Sequence, residues 1–193
     1  MHRALIALVV VLLSALALTG NAFARGGNYT FEGGSQTQRT QVKAALDASA
    51  FDWSLVPAQV TIHIGGYGVS HARPGHAYID GDLLGAGKFA WATVQDEYAH
   101  QIDFFLFNDA IRSRLTGALG ARDWCYGVAG LAHGDYGCER FSSTLVWSYW
   151  PSKSNAYKPA SANDESAAMS PAAFRALMAE LIGAPRSAAG ARL

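Results

Sequence analysis

The run Asp96-Glu97-Tyr98-Ala99-His100 places three ionisable side chains within five residues of an otherwise apolar stretch. Residues four positions apart on a helix project from nearly the same face, with Cβ atoms about 5–6 Å apart. The spacing therefore predicts a helix on which Asp96 and His100 point to one side, with Glu97 beside them. A mononuclear metal hydrolase needs this arrangement, with two ligands on one rigid element and a base next to them.

The residues around this run favour a cleft over a solvent-exposed helix face. Phe89, Ala90 and Trp91 precede it, and apolar side chains dominate residues 102–107, which follow it. Polar side chains clustered in such a helix need partners or a cleft, because burying them unpaired is costly. We predict a helix from residue 88 to about residue 108. The alternative is a solvated helix face that carries one incidental histidine.

The predicted helix resembles the active-site helix of the zincin metallopeptidases, whose motif is His-Glu-x-x-His, with Asp96 in place of the first histidine. The segment ERFSS at residues 139–143 resembles the part of gluzincin-type members that supplies a third ligand, a glutamate, from a later helix. The resemblance spans about residues 60–150. It implies that a strand at residues 76–80 lies antiparallel at the edge of the sheet, before the active-site helix.

The resemblance also assigns a cofactor and the roles of four residues. Glu97 corresponds to the catalytic base, and the zinc ligands correspond to Asp96, His100 and Glu139. These roles imply a zinc-dependent peptidase that acts on a peptide or protein. Two interpretations of Glu139 stay open: a ligand restrained by the neighbouring Cys138, or a glutamate favoured at a helix N-terminus by the helix dipole.

An aspartate in the first ligand position changes the expected chemistry. Its carboxylate reaches roughly 1 Å less far than a histidine ring nitrogen, whereas Zn–O and Zn–N distances are similar at about 2.0–2.2 Å. Two carboxylates and one imidazole leave a zinc centre neutral, which makes it a weaker Lewis acid. Oxygen-rich ligands also shift the preference toward Mn²⁺ or Ca²⁺. We therefore expect reduced or absent activity.

Other histidines are candidates for the missing ligand, and a surface or hydrogen-bonded role is the alternative for each of them. They are His63, His71, His76 and His133. His133 is the first candidate because it lies between the two cysteines of the chain, Cys125 and Cys138.

These two cysteines are expected to form a disulfide. Closing a loop of this size stabilises a fold by about 3 kcal/mol in the chain-entropy model. A metal site built on Cys125 and Cys138 is the alternative, but no second pair of soft ligands stands at a suitable spacing.

The first 24 residues have the features of a signal peptide. An early Arg3, an apolar run and the small-x-small sequence Ala22-Phe23-Ala24 are typical of one. A retained membrane anchor is the alternative, although the run is shorter than the ~20 residues that cross a bilayer. The protein is therefore expected to be secreted or otherwise extracytoplasmic, without stable membrane association after signal removal. Fifteen basic and fifteen acidic residues offer no basic patch for a nucleic acid.

The rest of the pattern predicts one zincin-like domain of the α+β class at residues 36–183. A small mixed or antiparallel sheet is expected to pack on the active-site helix and on a second, ligand-bearing helix. Val60, Ile62 and Ile64 alternate as the buried face of a strand. Further helices are expected at residues 36–49, 110–119, 139–150 and 171–182. Residues 25–35 are expected to be a flexible lead-in, and residues 184–193 a disordered tail.

Three functions stay open from the sequence. The first is a secreted zincin-like protein that is a zinc-dependent peptidase with weakened or lost activity. The second is a catalytically inactive zincin-fold protein that binds a partner through the remaining cleft. The third is an exported structural protein that is stabilised by its disulfide and has no site. Measurement of bound metal separates the first from the other two.

Overall fold

The sheet that supports the site is mixed and has four strands in the order β1-β2-β4-β3. We describe it from a computed structural model that covers residues 26–192, so the predicted signal peptide lies outside the described residues. The strands are β1 (Tyr29–Gly33), β2 (Val60–Gly65), β3 (His71–Arg73) and β4 (His76–Asp80). Strand β2 is parallel to both β1 and β4, whereas β3 is antiparallel to β4.

Five α-helices accompany the sheet in the described part of the chain, in agreement with the expected α+β class. They are α1 (Gln36–Ala48), α2 (Trp91–Leu106), α3 (Asp109–Ala118), α4 (Gly137–Tyr149) and α5 (Pro171–Ile182). Helix α2 packs against α1, α4 and the strands β3 and β4, and α4 also packs against α5. None of the helices within residues 26–192 is long and apolar enough to span a bilayer.

Alternation of apolar side chains builds the core side of the sheet, as predicted. Val60, Ile62 and Ile64 of β2 are buried, and so are Ala77 and Ile79 of β4. The intervening side chains point to the opposite, more accessible face.

The expectation that residues 76–80 form the antiparallel edge strand is wrong. Strand β4 is interior, since it pairs with β2 on one side and β3 on the other. The antiparallel edge strand is β3, which is only three residues long. It forms because the Pro74-Gly75 turn reverses the chain, with Gly75 at a φ of 78° that favours glycine.

Helix α2 begins at Trp91, three residues later than predicted. The residues before it, Leu83–Ala90, form tighter turns of the 3₁₀ type, and Gly87 adopts a φ of 60° that interrupts a continuous helix. Helix α4 begins at Gly137, two residues earlier than predicted, which places Glu139 in its first turn.

Residues of the two terminal segments pack against the rest of the molecule. Residues 29–33 form β1, whose Tyr29 and Phe31 pack against the core. Near the other end, Ala184 is buried, and the backbone N–H of Arg192 donates to the carbonyl of Ala48 over 2.8 Å. Both segments carry small or apolar residues that find a place in the core once the sheet and helices are assembled.

Candidate metal centre

Asp96, His100 and Glu139 converge at the contact between α2 and α4. One ligand atom from each lies within 4.8 Å of the others, and all three residues are buried. The distance between His100 Nε2 and Glu139 Oε2 is 3.5 Å. If both atoms were ~2.1 Å from one ion, this separation would correspond to a ligand–ion–ligand angle of about 110°, which is close to tetrahedral.

One oxygen of Asp96 shows that this donor set fits a cation. Oδ1 is buried and has no hydrogen-bond partner. An unpaired buried acceptor costs about 1–3 kcal/mol, and a bound divalent ion would satisfy it. Burial raises the pKa of Asp96 to about 6, although the charge of His100 acts in the opposite direction. The positive charge of His100 therefore offsets the burial of this carboxyl only in part.

Glu97 lies next to the ligand group and lines the same cleft. Burial raises the pKa of Glu97 to about 8, and the neighbouring Asp96 adds to the rise. A buried carboxyl that titrates close to neutral pH is suited to general acid–base chemistry.

Glu139 uses its two carboxylate oxygens for different neighbours. Oε1 accepts a hydrogen bond from the hydroxyl of Tyr126 at 2.9 Å. Oε2 lies 3.5 Å from His100 Nε2 and 3.3 Å from His133 Nε2. Burial alone would raise the pKa of Glu139, but hydrogen bonds with His100 and His133 hold it well below the usual range. Glu139 is thus kept ionised, as a metal ligand must be.

His133 contacts the centre through Glu139 and does not belong to the three-residue group. Its Nδ1 lies 2.8 Å from Glu165 Oε1, while its side chain remains 60% exposed. Hydrogen bonds with Glu139 and Glu165 raise the pKa of His133 to about 10. The structure therefore places His133 as a neighbour of one ligand.

The remaining candidate histidines lie on the accessible side of the sheet. His63 Nε2 is 2.9 Å from His76 Nδ1, and its other ring nitrogen is 3.1 Å from Glu32. The rings of His63 and His71 both stack on the ring of Tyr78. His71 also lines the cleft, but none of these histidines joins the Asp96 group.

Glu139 is held in place by the disulfide loop, which we define as residues 122–138. The predicted bond between Cys125 and Cys138 is present, with Cα atoms 5.4 Å apart. The loop has additional anchors: the indole N–H of Trp124 donates to the buried carboxylate of Asp103 at 3.0 Å. The backbone N–H groups of Gly137 and Cys138 donate to carbonyls of the same loop, both over 2.8 Å.

The cleft above the centre has a volume of about 600 Å³. Helix α2 forms its floor, and β3 with the preceding residues 68–70 forms one wall. Gln101 fixes the separation of these elements, because its amide oxygen accepts from Gly75 N at 2.8 Å and its amide nitrogen donates to the carbonyls of Arg73 and His76.

Three residues of the site escaped the sequence analysis: Tyr126, Tyr157 and Glu165. Tyr157 lines the cleft, and the pKa of its hydroxyl lies well above the usual range because of burial and the charge of Asp96. Only Tyr126 carried a signal, namely its position beside Cys125. Tyr157 and Glu165 belong to irregular segments without a periodic pattern, so their approach to the centre is set by tertiary structure.

No family model, curated protein or solved structure matches this chain. What the protein does is therefore inferred from the side chains in the cleft. They offer three ligands for a divalent ion, a carboxyl that titrates near neutral pH, and an accessible space beside an edge strand.

Proposed function

We propose that this protein is a zincin-like, metal-dependent peptidase of reduced activity. The observation that carries the proposal is the group formed by Asp96, His100 and Glu139, in which Asp96 Oδ1 is buried without a partner. A base candidate, Glu97, shares the cleft. The proposal is supported further by an antiparallel edge strand beside α2, although this strand is β3 and not residues 76–80, as the zincin resemblance implied.

In this proposal each residue has a separate task. A bound zinc ion supplies Lewis acidity toward a substrate carbonyl and a water molecule. Asp96, His100 and Glu139 hold the ion, and Tyr126 orients Glu139 through its 2.9 Å hydrogen bond. Glu97 takes the proton of the attacking water and gives it to the leaving amine.

Asp96 is the reason why we propose reduced activity. With Asp96 and Glu139 both ionised, the ligands cancel the charge of a divalent ion. A neutral centre acidifies water less than a centre with two histidines and one carboxylate. The same donor set favours oxygen-preferring ions such as Mn²⁺ and Ca²⁺ more than the usual zincin set does.

We also propose an extracytoplasmic location. The Cys125–Cys138 bond is compatible with an oxidising compartment, where such bonds persist. The proposed signal peptide would direct the protein to this compartment.

The test is the metal content of the purified protein after incubation with Zn²⁺, Mn²⁺ or Ca²⁺ and removal of free ion. One ion per chain is expected, with binding lost in His100→Ala and in Glu139→Gln. His63→Ala is the matched control, because that histidine lies outside the ligand group, and it should bind as the wild type does. Absence of every ion from the folded wild type would rule out the proposal.

Hydrolysis needs a separate test. A quenched peptide library is incubated with the metal-loaded wild type and with Glu97→Gln, which keeps all three ligands. Turnover by the wild type and not by the variant supports the peptidase.

A second candidate, a metal-containing binding protein without catalysis, is favoured by Asp96, because its carboxylate would make the centre with a divalent ion neutral. This alternative would be supported if the wild type and Glu97→Gln both bind one metal ion per chain and neither cleaves the peptides above background.

A further inference from the structure

A second group of potential ligands lies on the other side of Glu139. The sulfur atoms of Cys125 and Cys138 and a carboxylate oxygen of Glu139 all lie within 4.8 Å of one another. We propose that reduction of the disulfide converts this group into a thiolate-rich zinc site. The inference shares Glu139 with the proposed peptidase centre, but it requires neither Asp96 nor His100.

The orientation of Glu139 allows it to serve either group. Its Oε1 lies 3.7 Å from the sulfur of Cys138, whereas its Oε2 lies 3.5 Å from the ring nitrogen of His100. The two candidate sites therefore meet different oxygens of one carboxylate.

Little movement of the chain is needed to open the disulfide into a zinc site. Two thiolates bound to one zinc ion at ~2.3 Å lie about 3.8 Å apart in tetrahedral geometry. The Cα atoms of the two cysteines are 5.4 Å apart, and Cys125 is exposed and lines the cleft. Rotation of the Cys125 side chain can separate the sulfurs, while Cys138 stays fixed in the core.

The loop has anchors that do not depend on the disulfide. Asp103 accepts hydrogen bonds from the indole of Trp124 and from Arg112 Nε, the latter at 2.7 Å. Asp123 Oδ2 accepts from the backbone N–H of Val128 at 3.0 Å. These contacts would keep both cysteines close to Glu139 after reduction.

The N-terminus of α4 favours a thiolate at Cys138, and thiolates favour a borderline-soft ion. Cys138 occupies the first turn of α4, where the helix dipole stabilises a negative charge. Thiolate ligands select zinc over Ca²⁺ and Mn²⁺, so this site differs in preference from the group around Asp96.

Reduction of the disulfide to two thiols requires a reductant, which we take to be a dithiol. The dithiol transfers two electrons and two protons to the S–S bond, which gives two protein thiols and one disulfide in the reductant. Zinc then displaces the two thiol protons to the solvent as the two Zn–S bonds form.

The test uses Co²⁺ as a spectroscopic substitute for zinc in His100→Ala, so that the group around Asp96 is disabled. The full chain is reduced with a dithiol, which is then removed under anaerobic conditions. We expect one Co²⁺ per chain with near-ultraviolet thiolate-to-Co²⁺ charge transfer, and displacement of that band by Zn²⁺. The oxidised variant should show no such band.

Glu139→Gln distinguishes the proposed site from cysteines that bind metal in an unfolded chain. In reduced His100→Ala/Glu139→Gln the Co²⁺ affinity should fall at least tenfold. Equal affinity, loss of near-ultraviolet circular dichroism on reduction, or absence of the charge-transfer band with two titratable thiols present would each overturn the inference. Because the variant lacks His100, failure of the peptidase proposal leaves the expected result unchanged.

Discussion

The two halves of the candidate metal centre are held in place by different means. Helix α2 supplies Asp96, Glu97 and His100 from an unbroken buried stretch, residues 94–103, that packs against α1, α4 and the sheet. Glu139 lies in the first turn of α4, which packs against α2 and α5, and it follows a loop whose residues 125–130 are exposed and which a disulfide and hydrogen bonds hold. One half therefore owes its geometry to core packing alone, whereas the other half has a crosslink in addition.

Removing the packing that joins the halves should have the largest effect. Phe141 is fully buried, with ring centroids 4.9 Å from Phe107 and 6.4 Å from Trp124. Phe141→Ala is expected to lower the free energy of unfolding by about 3–5 kcal/mol, because it leaves a cavity between α2, α4 and the disulfide loop. Urea denaturation measures the change. Phe105→Ala, at a 37% exposed position, is the control and should cost far less.

Breaking the crosslink alone should have the next largest effect. In Cys125→Ser/Cys138→Ser the free energy of unfolding is expected to fall by about 3 kcal/mol, since a 13-residue separation is no longer closed in the unfolded chain. The wild type measured in a dithiol reductant should unfold at the same urea concentration as the double variant. An unchanged midpoint in both cases would show that the hydrogen bonds of the loop suffice to hold Glu139.

The α2 half is expected to carry a destabilising charge when no metal is bound. The pKa of Asp96 rises from 3.8 to about 6 on folding, mainly through burial. Since the folded-state value is the higher one, the cost is absent at acid pH, develops as the pH rises from about 4 to 6, and is complete above that range.

Asp96→Asn should therefore stabilise the metal-free protein at neutral pH by about 2–3 kcal/mol and have little effect at acid pH. Thermal unfolding in the presence of a chelator measures both. Asp109→Asn, which changes a fully exposed side chain, is the control. Stabilisation of equal size at both pH values would contradict the electrostatic explanation.

The smallest expected effect is a gain in zinc affinity. Asp96→His would complete the zincin-type motif that the helix resembles and would give a zinc-loaded centre a net positive charge. Zinc affinity should rise about tenfold, which corresponds to roughly 1.4 kcal/mol, and Ca²⁺ affinity should fall. Competition with a chromophoric chelator measures the zinc affinity. A lower zinc affinity would show that the space around residue 96 fits only the shorter carboxylate.

The sequence was informative where the decisive pattern is local. The spacing of Asp96 and His100 within one helix, and the alternation of Val60, Ile62 and Ile64, depend only on helix and strand geometry. Only the zincin resemblance predicted that Asp96 and Glu139 lie close together. Nothing in the sequence between them, residues 97–138, predicts that they lie close together.

The features that were missed depend on contacts between distant segments. Strand β3 is too short to show alternation, and its position at the edge follows from the turn at Gly75 and from the bonds to Gln101. Glu165 reaches the centre through His133, 32 residues away in sequence. The contacts of Tyr29 and Ala184 with the core likewise join segments that are distant in sequence, and composition does not predict them.

The position of Arg192 bears on how the protein should be prepared. Its backbone N–H donates to Ala48 in α1, and its carbonyl accepts the indole N–H of Trp150, each over 2.8 Å. An affinity tag fused after this residue begins next to the interior of the molecule and needs a linker. Truncation before it would leave a buried tryptophan donor unpaired, and the shortened protein should be harder to purify in a folded state.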